Sequence, residues 1–232
     1  RIQDLLEPSS INLHTVLVLV NAIYFKGIWK TAFREEDTQE MPFSVTEQDS
    51  RPVQMMCQNS TFKVGRVAAE KIKVLELPYA TGELSLVVLL PDDVSGLEQL
   101  ENKINFEKLT EWTSLSVMEK KRVKVYLPRM KLEEKYNLTS VLTALGMADL
   151  FSPVANLSGI SSAERLKVSE AIHEASMEVT EEGTEAADSS VVTGDIQHSP
   201  EFEEFRADHP FLFLIKHNPS NMILFFGRYY SP

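Results

Sequence analysis

The sequence predicts an α+β domain with mixed β-sheets, and two observations support this class. Short apolar segments of strand length fill the first third and the end of the chain, and a few segments of helical character lie between them. The 232 residues are 43% hydrophobic and 25% charged, which is enough apolar material for a sizeable core. We find no internal repeat or linker, so we expect one domain.

The first third is predicted to consist of strands. Thr15–Phe25 is rich in Val, Leu and Ile without alternation, as in a strand buried on both faces. Lys26-Gly27 ends this strand, and the large apolar residues Trp29 and Phe33 follow. Short strands separated by polar or Pro-containing turns are then predicted at Met41–Val45, Val53–Cys57 and Thr61–Val67.

A hairpin and two helices are predicted next. Lys71–Leu77 and Leu84–Leu90 form the hairpin, and a helical stretch follows near Val94–Ile104. Phe106–Thr113 is a second predicted helix, with Asn105 as its N-cap because a side-chain oxygen there can accept from a free backbone N–H.

The second half of the chain begins with a predicted strand at Arg122–Leu127. Tyr136–Leu145 is amphipathic and stops at Gly146, which is typical of a helix end. Ala171–Val179 is mostly apolar at odd positions, which predicts a half-buried strand. Two closing strands are predicted at Phe211–Ile215 and Met222–Phe226.

Composition argues against several classes of function. Thirty-four acidic residues against 23 Lys and Arg give a net charge of -11, which is unfavourable for nucleic-acid binding. Apolar runs such as Leu86–Leu90 are too short to span a membrane. The lone Cys57 excludes a disulfide within this sequence, and no metal-site spacing or cofactor motif is present. No nucleophile elbow or paired carboxylates indicate a reaction, so we do not expect an enzyme.

The most informative segments lie near the end of the chain. Two acids, a glycine and small residues fill Glu181–Ala187, a polar stretch runs from Asp188 to Glu204, and Phe205–Ile215 is densely apolar. A long polar loop between buried strands is typical of a functional segment. In the order and spacing of these segments the chain resembles the serpin family, and within it the ovalbumin clade.

The resemblance implies a serpin fold with an exposed reactive-centre loop at about residues 183–204. It also implies that residues 1–232 are the C-terminal part of a single serpin domain whose N-terminal part is missing, since no initiator Met and no secretory signal are found at Arg1. The full-length protein is then expected to be a secreted, extracellular monomer.

Two functions follow from the resemblance, and both stay open. In inhibitory serpins a serine protease cuts the loop, and the hinge half inserts as an extra strand in a sheet. By the family spacing the reactive bond lies near Gln197-His198, and the inward hinge positions are Thr184, Ala186, Asp188 and Ser190. Asp188 departs from the pattern, because burial of an unpaired carboxylate is unfavourable. The alternative is a non-inhibitory egg-white serpin that serves storage or glycan binding.

The resemblance also assigns roles around the loop. Asn21 and His173 match the shutter, on adjacent strands where a buried pair is stable only if it is hydrogen-bonded; without the family, His173 is an ordinary core histidine. Trp29 matches the breach, where the loop first enters, although it could equally be ordinary core. Arg129 matches the partner of the hinge acid Glu181, which predicts a salt bridge.

A basic segment and three sequons complete the candidate sites. Lys120, Lys121 and Arg122, with three further cations up to Lys131, could bind a sulfated glycan, or could form a solvated strand edge. The glycosylation sequons begin at Asn59, Asn137 and Asn156, and Asn137 matches a sequon of the family.

Overall fold

The computed structural model describes residues 15–161, 166–185 and 202–232 of the chain. The chain divides into two compact units. The smaller unit contains Arg1–Lys26 and Lys131–Glu178, and the larger unit contains Gly27–Met130 and Val179–Pro232.

Mixed strands and short helices make up both units, and they confirm the predicted α+β class. In chain order the elements are β1 (Val18–Lys26), β2 (Trp29–Thr31), β3 (Gln39–Ser44), β4 (Ser50–Val67), β5 (Ile72–Pro78), β6 (Leu84–Pro91), α1 (Leu97–Lys103), α2 (Phe106–Trp112), β7 (Glu119–Pro128), β8 (Met130–Asn137), α3 (Thr139–Leu142), β9 (Glu170–Val179), β10 (Gly183–Glu185), β11 (Glu203–Arg206), β12 (Phe211–His217) and β13 (Met222–Tyr229).

The smaller unit contains a three-stranded sheet in the order β1-β9-β8. Strand β1 runs parallel to β9, with Asn21 directly opposite His173. The prediction that β1 is buried on both faces is wrong for the described residues, since Leu19 and Tyr24 are 52% and 47% exposed. Within the described part of the chain, β9 is the single strand paired with β1. Much of the apolar surface of β1 therefore lacks cover.

The larger unit contains an eight-stranded sheet. Its main path has the order β11-β7-β4-β5-β6-β12-β13, and β3 pairs with β4. The two strands predicted between Val53 and Val67 are one continuous strand, β4, because the polar residues between them pair with β7 instead of turning. The predicted hairpin of β5 and β6 is present as an antiparallel pair.

The core of the larger unit lies on both sides of this sheet. Nearly every residue of β5, β6 and β12 is buried, as expected for central strands. One face of the sheet packs against α1 and α2. These helices contribute Leu97, Leu109 and Trp112 to a cluster of buried apolar side chains. Because successive strand residues point to opposite faces, both faces need cover, and the continuous apolar runs of β6 and β12 reflect this.

The helices are shorter than predicted. Asn105 caps α2 as expected, and its Oδ1 accepts from the backbone N–H of Lys108 at 2.8 Å. The predicted helix at Tyr136–Leu145 is wrong in its first part, where the chain is still in β8. In the rest of this segment, α-helix is limited to α3. Gly146 has a φ of 100°, which suits glycine at a helix end. No helix within the described ranges is long and apolar enough to cross a membrane.

Candidate functional site

The hinge segment is paired as a strand at its first residues. Strand β10 runs parallel to β2, with Gly183 opposite Trp29 and Glu185 opposite Thr31. Backbone hydrogen bonds extend this pairing, because the Trp29 N–H donates to the Glu182 carbonyl at 2.8 Å. The loop predicted to be exposed from Gly183 therefore begins with three paired residues, and its last residues belong to β11.

Gly183 lies where a side chain has no room. A Cβ at this position would lie 2.5 Å from both the Cα and the N of Ala32. The glycine is thus required by close backbone approach. The neighbouring Thr184 is exposed, and its hydroxyl donates to the Lys30 carbonyl at 3.1 Å. The hinge positions Ala186 and Asp188 and the predicted reactive bond at Gln197-His198 lie outside the described residues.

Trp29 is the anchor beside the hinge. It is 2% exposed, and its indole N–H donates to the Thr180 carbonyl at 2.6 Å. Its ring stacks on Tyr79 with centroids 4.5 Å apart, and it meets Phe33 edge-on at 5.9 Å. The stacking of Tyr79 on Trp29 could not be predicted from the sequence, because the two residues are distant along the chain.

Glu181 is clamped immediately before the hinge. The Arg129 Nε donates to Glu181 Oε2 at 3.1 Å, and the Thr38 hydroxyl donates to Oε1 at 2.7 Å. The Glu181 side chain is 6% exposed and that of Arg129 is 45% exposed. Burial acts to raise the pKa of Glu181, but the hydrogen bonds from Arg129 and Thr38 outweigh it, so the pKa lies below its ordinary value. The contact between Thr38 and Glu181 was not predicted from the sequence.

His209 forms a second polar contact in the larger unit. Its Nδ1 lies 2.9 Å from Asp208 Oδ1, and its Nε2 lies 2.7 Å from the Pro91 carbonyl oxygen. Burial acts to lower the pKa of His209, but the contacts with Asp208 and Pro91 favour the doubly protonated ring and give a net increase. The contact with Pro91 fixes the loop between β11 and β12 against the end of β6, and the contact with Asp208 orients the imidazole within that loop.

The structure brings Asn21 and His173 together in the smaller unit. The Asn21 side-chain amide lies 3.0 Å from His173 Nδ1, across the parallel pair β1–β9. The Tyr136 ring stacks on the imidazole, with centroids 6.3 Å apart. The expectation that both residues are buried is wrong for the described chain, because Asn21 is exposed and His173 is half-buried.

The three basic residues of β7 do not share one face. Because side chains alternate along a strand, Lys120 and Arg122 lie on one face and Lys121 lies on the other. Lys121 is within 3.6 Å of Glu119 and 3.5 Å of Glu203, so its charge is partly neutralised. The Arg122 guanidinium lies 4.6 Å from the centre of the Phe202 ring.

The three sequon asparagines are exposed. Asn59 lies within β4, and Asn137 lies at the end of β8 with its Oδ1 accepting from the Thr139 N–H. Asn156 lies just before a turn, and its Oδ1 accepts from the Ser158 hydroxyl at 2.8 Å. All three are therefore accessible in the folded chain.

The described residues do not form a metal centre. Within them, no group of three or more His, Cys, Asp or Glu side chains could hold a metal ion. Cys57 is half-buried, and burial raises the pKa of its thiol, which makes the thiol a weak nucleophile.

Comparison with known families and proteins gives a consistent result. The family model described as Serpin (serine protease inhibitor) matches residues 1–232. Ovalbumin-related protein X of Gallus gallus is 68% identical over 232 residues, which are 100% of this chain and 100% of that protein. Ovalbumin of Gallus gallus is 62% identical over 231 residues, and the match covers 100% of this chain and 59% of ovalbumin. The chain thus spans about three-fifths of the length of ovalbumin.

Solved structures agree with the sequence comparison. The crystal structure of uncleaved ovalbumin matches 100% of this chain with a TM-score of 0.91 at 61% identity, and the match covers 58% of the ovalbumin chain. A loop-inserted structure of a cleaved ovalbumin mutant matches with a TM-score of 0.85 at 54% identity, covering 100% of this chain and 59% of that chain.

Proposed function

This chain belongs to the serpin family, and we propose that its protein inhibits serine proteases by cleavage and insertion of its reactive loop. The observation that carries this proposal is the paired hinge. Gly183–Glu185 already lies as a strand beside Trp29–Thr31, directly after the clamped Glu181. A segment that begins in a sheet can extend its pairing once its far end is released.

The proposed reaction uses the protease as the catalyst. The protease serine hydroxyl attacks the Gln197 carbonyl, an ester forms between its oxygen and Gln197, and the bond to His198 breaks. The released amine of His198 takes up the proton. Insertion of the hinge strand would then displace the attached protease before water hydrolyses the ester, so that the complex persists.

Side-chain size along the hinge decides whether insertion succeeds. Thr184, Ala186 and Ser190 are small enough to face a packed sheet, whereas Asp188 would bring in a carboxylate. The loop-inserted structure of a cleaved ovalbumin mutant supports the proposal, since a related chain of the same architecture accepts its loop. Asp188 is therefore the residue that most opposes full insertion.

A second candidate is a non-inhibitory, secreted egg-white serpin that serves storage or glycan binding. It is favoured by Asp188 and by the absence of any Lys or Arg between Glu182 and Phe205, which leaves trypsin-like proteases no anchor. Extracellular location and glycosylation, with Asn137 as the first site, belong to both proposals. The exposed Lys120 and Arg122 would supply the contact with a sulfated glycan, and Lys121 would contribute less.

The deciding experiment mixes the full-length protein with a panel of serine proteases and resolves the products by denaturing electrophoresis. The inhibitor proposal expects a covalent complex that survives denaturation. A Thr184→Arg variant should be cut without forming the complex, because an inward arginine blocks insertion. If every protease that cuts the loop leaves no complex, and Asp188→Ala does not restore one, the second candidate holds.

A further inference from the structure

A cleft of about 860 Å³ lies on the larger unit, at one end of the sheet face that α1 and α2 cover. Its apolar wall includes Phe106 and Leu109 from α2, together with Leu214 and Ile223 from the sheet. This volume falls in the range of pockets that hold small organic molecules. Among the described residues, neither Gly183 and Thr184 of the hinge nor Glu181 and Arg129 of the clamp line it.

The charge of the cleft is opposite to that of the chain. Its lining contains four lysines and one carboxylate, which are Lys30, Lys63, Lys120, Lys216 and Glu76. The cleft thus carries a charge of about +3 on a protein whose net charge is -11. A local concentration of positive charge attracts anions, and the partly apolar wall strengthens this attraction by lowering the local dielectric.

Glu76 neutralises only part of this charge. Its Oε1 lies 2.8 Å from the Lys63 ammonium and accepts from the Ser85 hydroxyl at 3.4 Å. The Lys216 ammonium lies 4.0 Å from Oε2, which is too far for a hydrogen bond, although the Lys216 side chain is only 13% exposed. One carboxylate therefore serves two cations, of which Lys216 is largely buried and Lys63 is partly exposed.

Lys120 adds an unfavourable cross-strand pair. It lies directly opposite Lys63 in the antiparallel pair of β4 and β7, and like charges in this position repel. Within the described chain, no carboxylate lies within 4.0 Å of the Lys120 ammonium. Such a pair is stabilised when an anion lies between the two ammonium groups.

We infer that this cleft binds a small sulfate or phosphate ester, with the oxyanion between Lys63, Lys120 and Lys216. The tetrahedral oxyanion supplies several acceptors for ammonium donors, and the organic part of the ester packs against Phe106 and Leu109. This site goes beyond protease inhibition, because it uses neither the hinge nor the reactive loop.

The test uses 4-nitrophenyl sulfate and 4-nitrophenyl phosphate as probes, and 4-nitrophenol as the matched neutral compound. Isothermal titration at constant ionic strength should show saturable binding of both esters and little binding of the phenol. Lys120→Gln should weaken ester binding by about tenfold, as expected for the loss of one charge-assisted contact. Lys121→Gln is the control, since it removes the same charge from the opposite face and should change binding by less than about twofold.

Competition identifies the source of the anion. Inorganic sulfate and phosphate that displace the probe would show that the oxyanion is recognised, and tighter binding of the esters would show that the apolar wall contributes. Equal effects of Lys120→Gln and Lys121→Gln, or equal binding of the neutral phenol, would overturn the assignment. Lys30→Gln provides a second variant on an exposed residue, and unchanged melting temperatures establish that the variants fold. Protease-complex formation should be unaltered in Lys120→Gln and Lys121→Gln, since neither residue lies in the hinge strand or in its partner β2.

Discussion

An ion pair between Glu181 and Arg129 joins the start of the hinge to the end of β7. The Arg129 side chain reaches both carboxylate oxygens of Glu181, while its own backbone N–H donates to the Gln54 carbonyl at 2.8 Å. The clamp therefore ties the start of the hinge to a position that the main sheet fixes. Release of the hinge requires that this contact stretch or break.

Removing the cation should loosen the hinge. In Arg129→Met the Glu181 carboxylate keeps Thr38 as a partner but loses its charge-assisted bonds, and we expect a loss of about 1–2 kcal/mol in unfolding free energy. Urea unfolding measures this change. Lys131→Met is the matched control, because its pair with Glu133 is exposed on both sides and should contribute little. Equal losses in the two variants would contradict the clamp.

Acid should release the same contact. The pKa of Glu181 is lower in the folded chain than in the unfolded chain, so its contribution is complete above the ordinary glutamate pKa and is lost as pH falls through the folded value. The stability difference between the wild type and Glu181→Gln should thus shrink on going from about pH 7 to about pH 3. A difference that is the same at both pH values would argue against this.

His209 should show the opposite dependence. Its pKa is raised in the folded chain, so its contribution is complete below the ordinary histidine pKa and is lost as pH rises through the folded value. The stability advantage of the wild type over His209→Gln should therefore be larger at about pH 5 than at about pH 9. Thermal unfolding across this range is the measurement. An advantage that grows with pH would show that the neutral ring is the stabilising form.

Gly183 should not tolerate a methyl group. In Gly183→Ala the new Cβ meets the backbone of Ala32, and the pair β2–β10 must separate at a cost of about 1–3 kcal/mol. Hydrogen exchange at Trp29 should then become faster, because its N–H bond to Glu182 is weakened. Gly159→Ala is the control, since nothing lies within 4 Å of the added carbon. Unchanged exchange at Trp29 in Gly183→Ala would contradict the close approach.

Local patterns predicted much of the fold. The β5–β6 hairpin, β9 and the Asn105 cap follow from periodicity and capping, which depend on neighbouring residues. Strand β8 was missed because its Lys and Glu residues are exposed and lack the apolar alternation of a half-buried strand. The polar residues near Asn59 were interpreted as a turn, whereas β7 pairs with them across the sheet.

The candidate site was predicted less completely. The family assignment is confirmed, and it brought Glu181 and Arg129 together before any geometry was known. Residues such as Thr38 and Tyr79 could not be found in this way, because their contacts depend on where distant segments cross. The alternation of Lys120 and Lys121 across two faces was also missed, because the predicted strand began at Arg122, whereas β7 begins at Glu119.

The pairing of β6 with β12 has a consequence for how the protein is made. Leu89 lies opposite Leu212, so the centre of the main sheet cannot close until a segment far along the chain has been synthesised. Before that, the apolar edge of β6 is unpaired and open to association with other chains. Such distant pairing is slow to form because a long loop must close first. Newly made chains should therefore depend on chaperones until β12 has emerged from the ribosome and inserted beside β6.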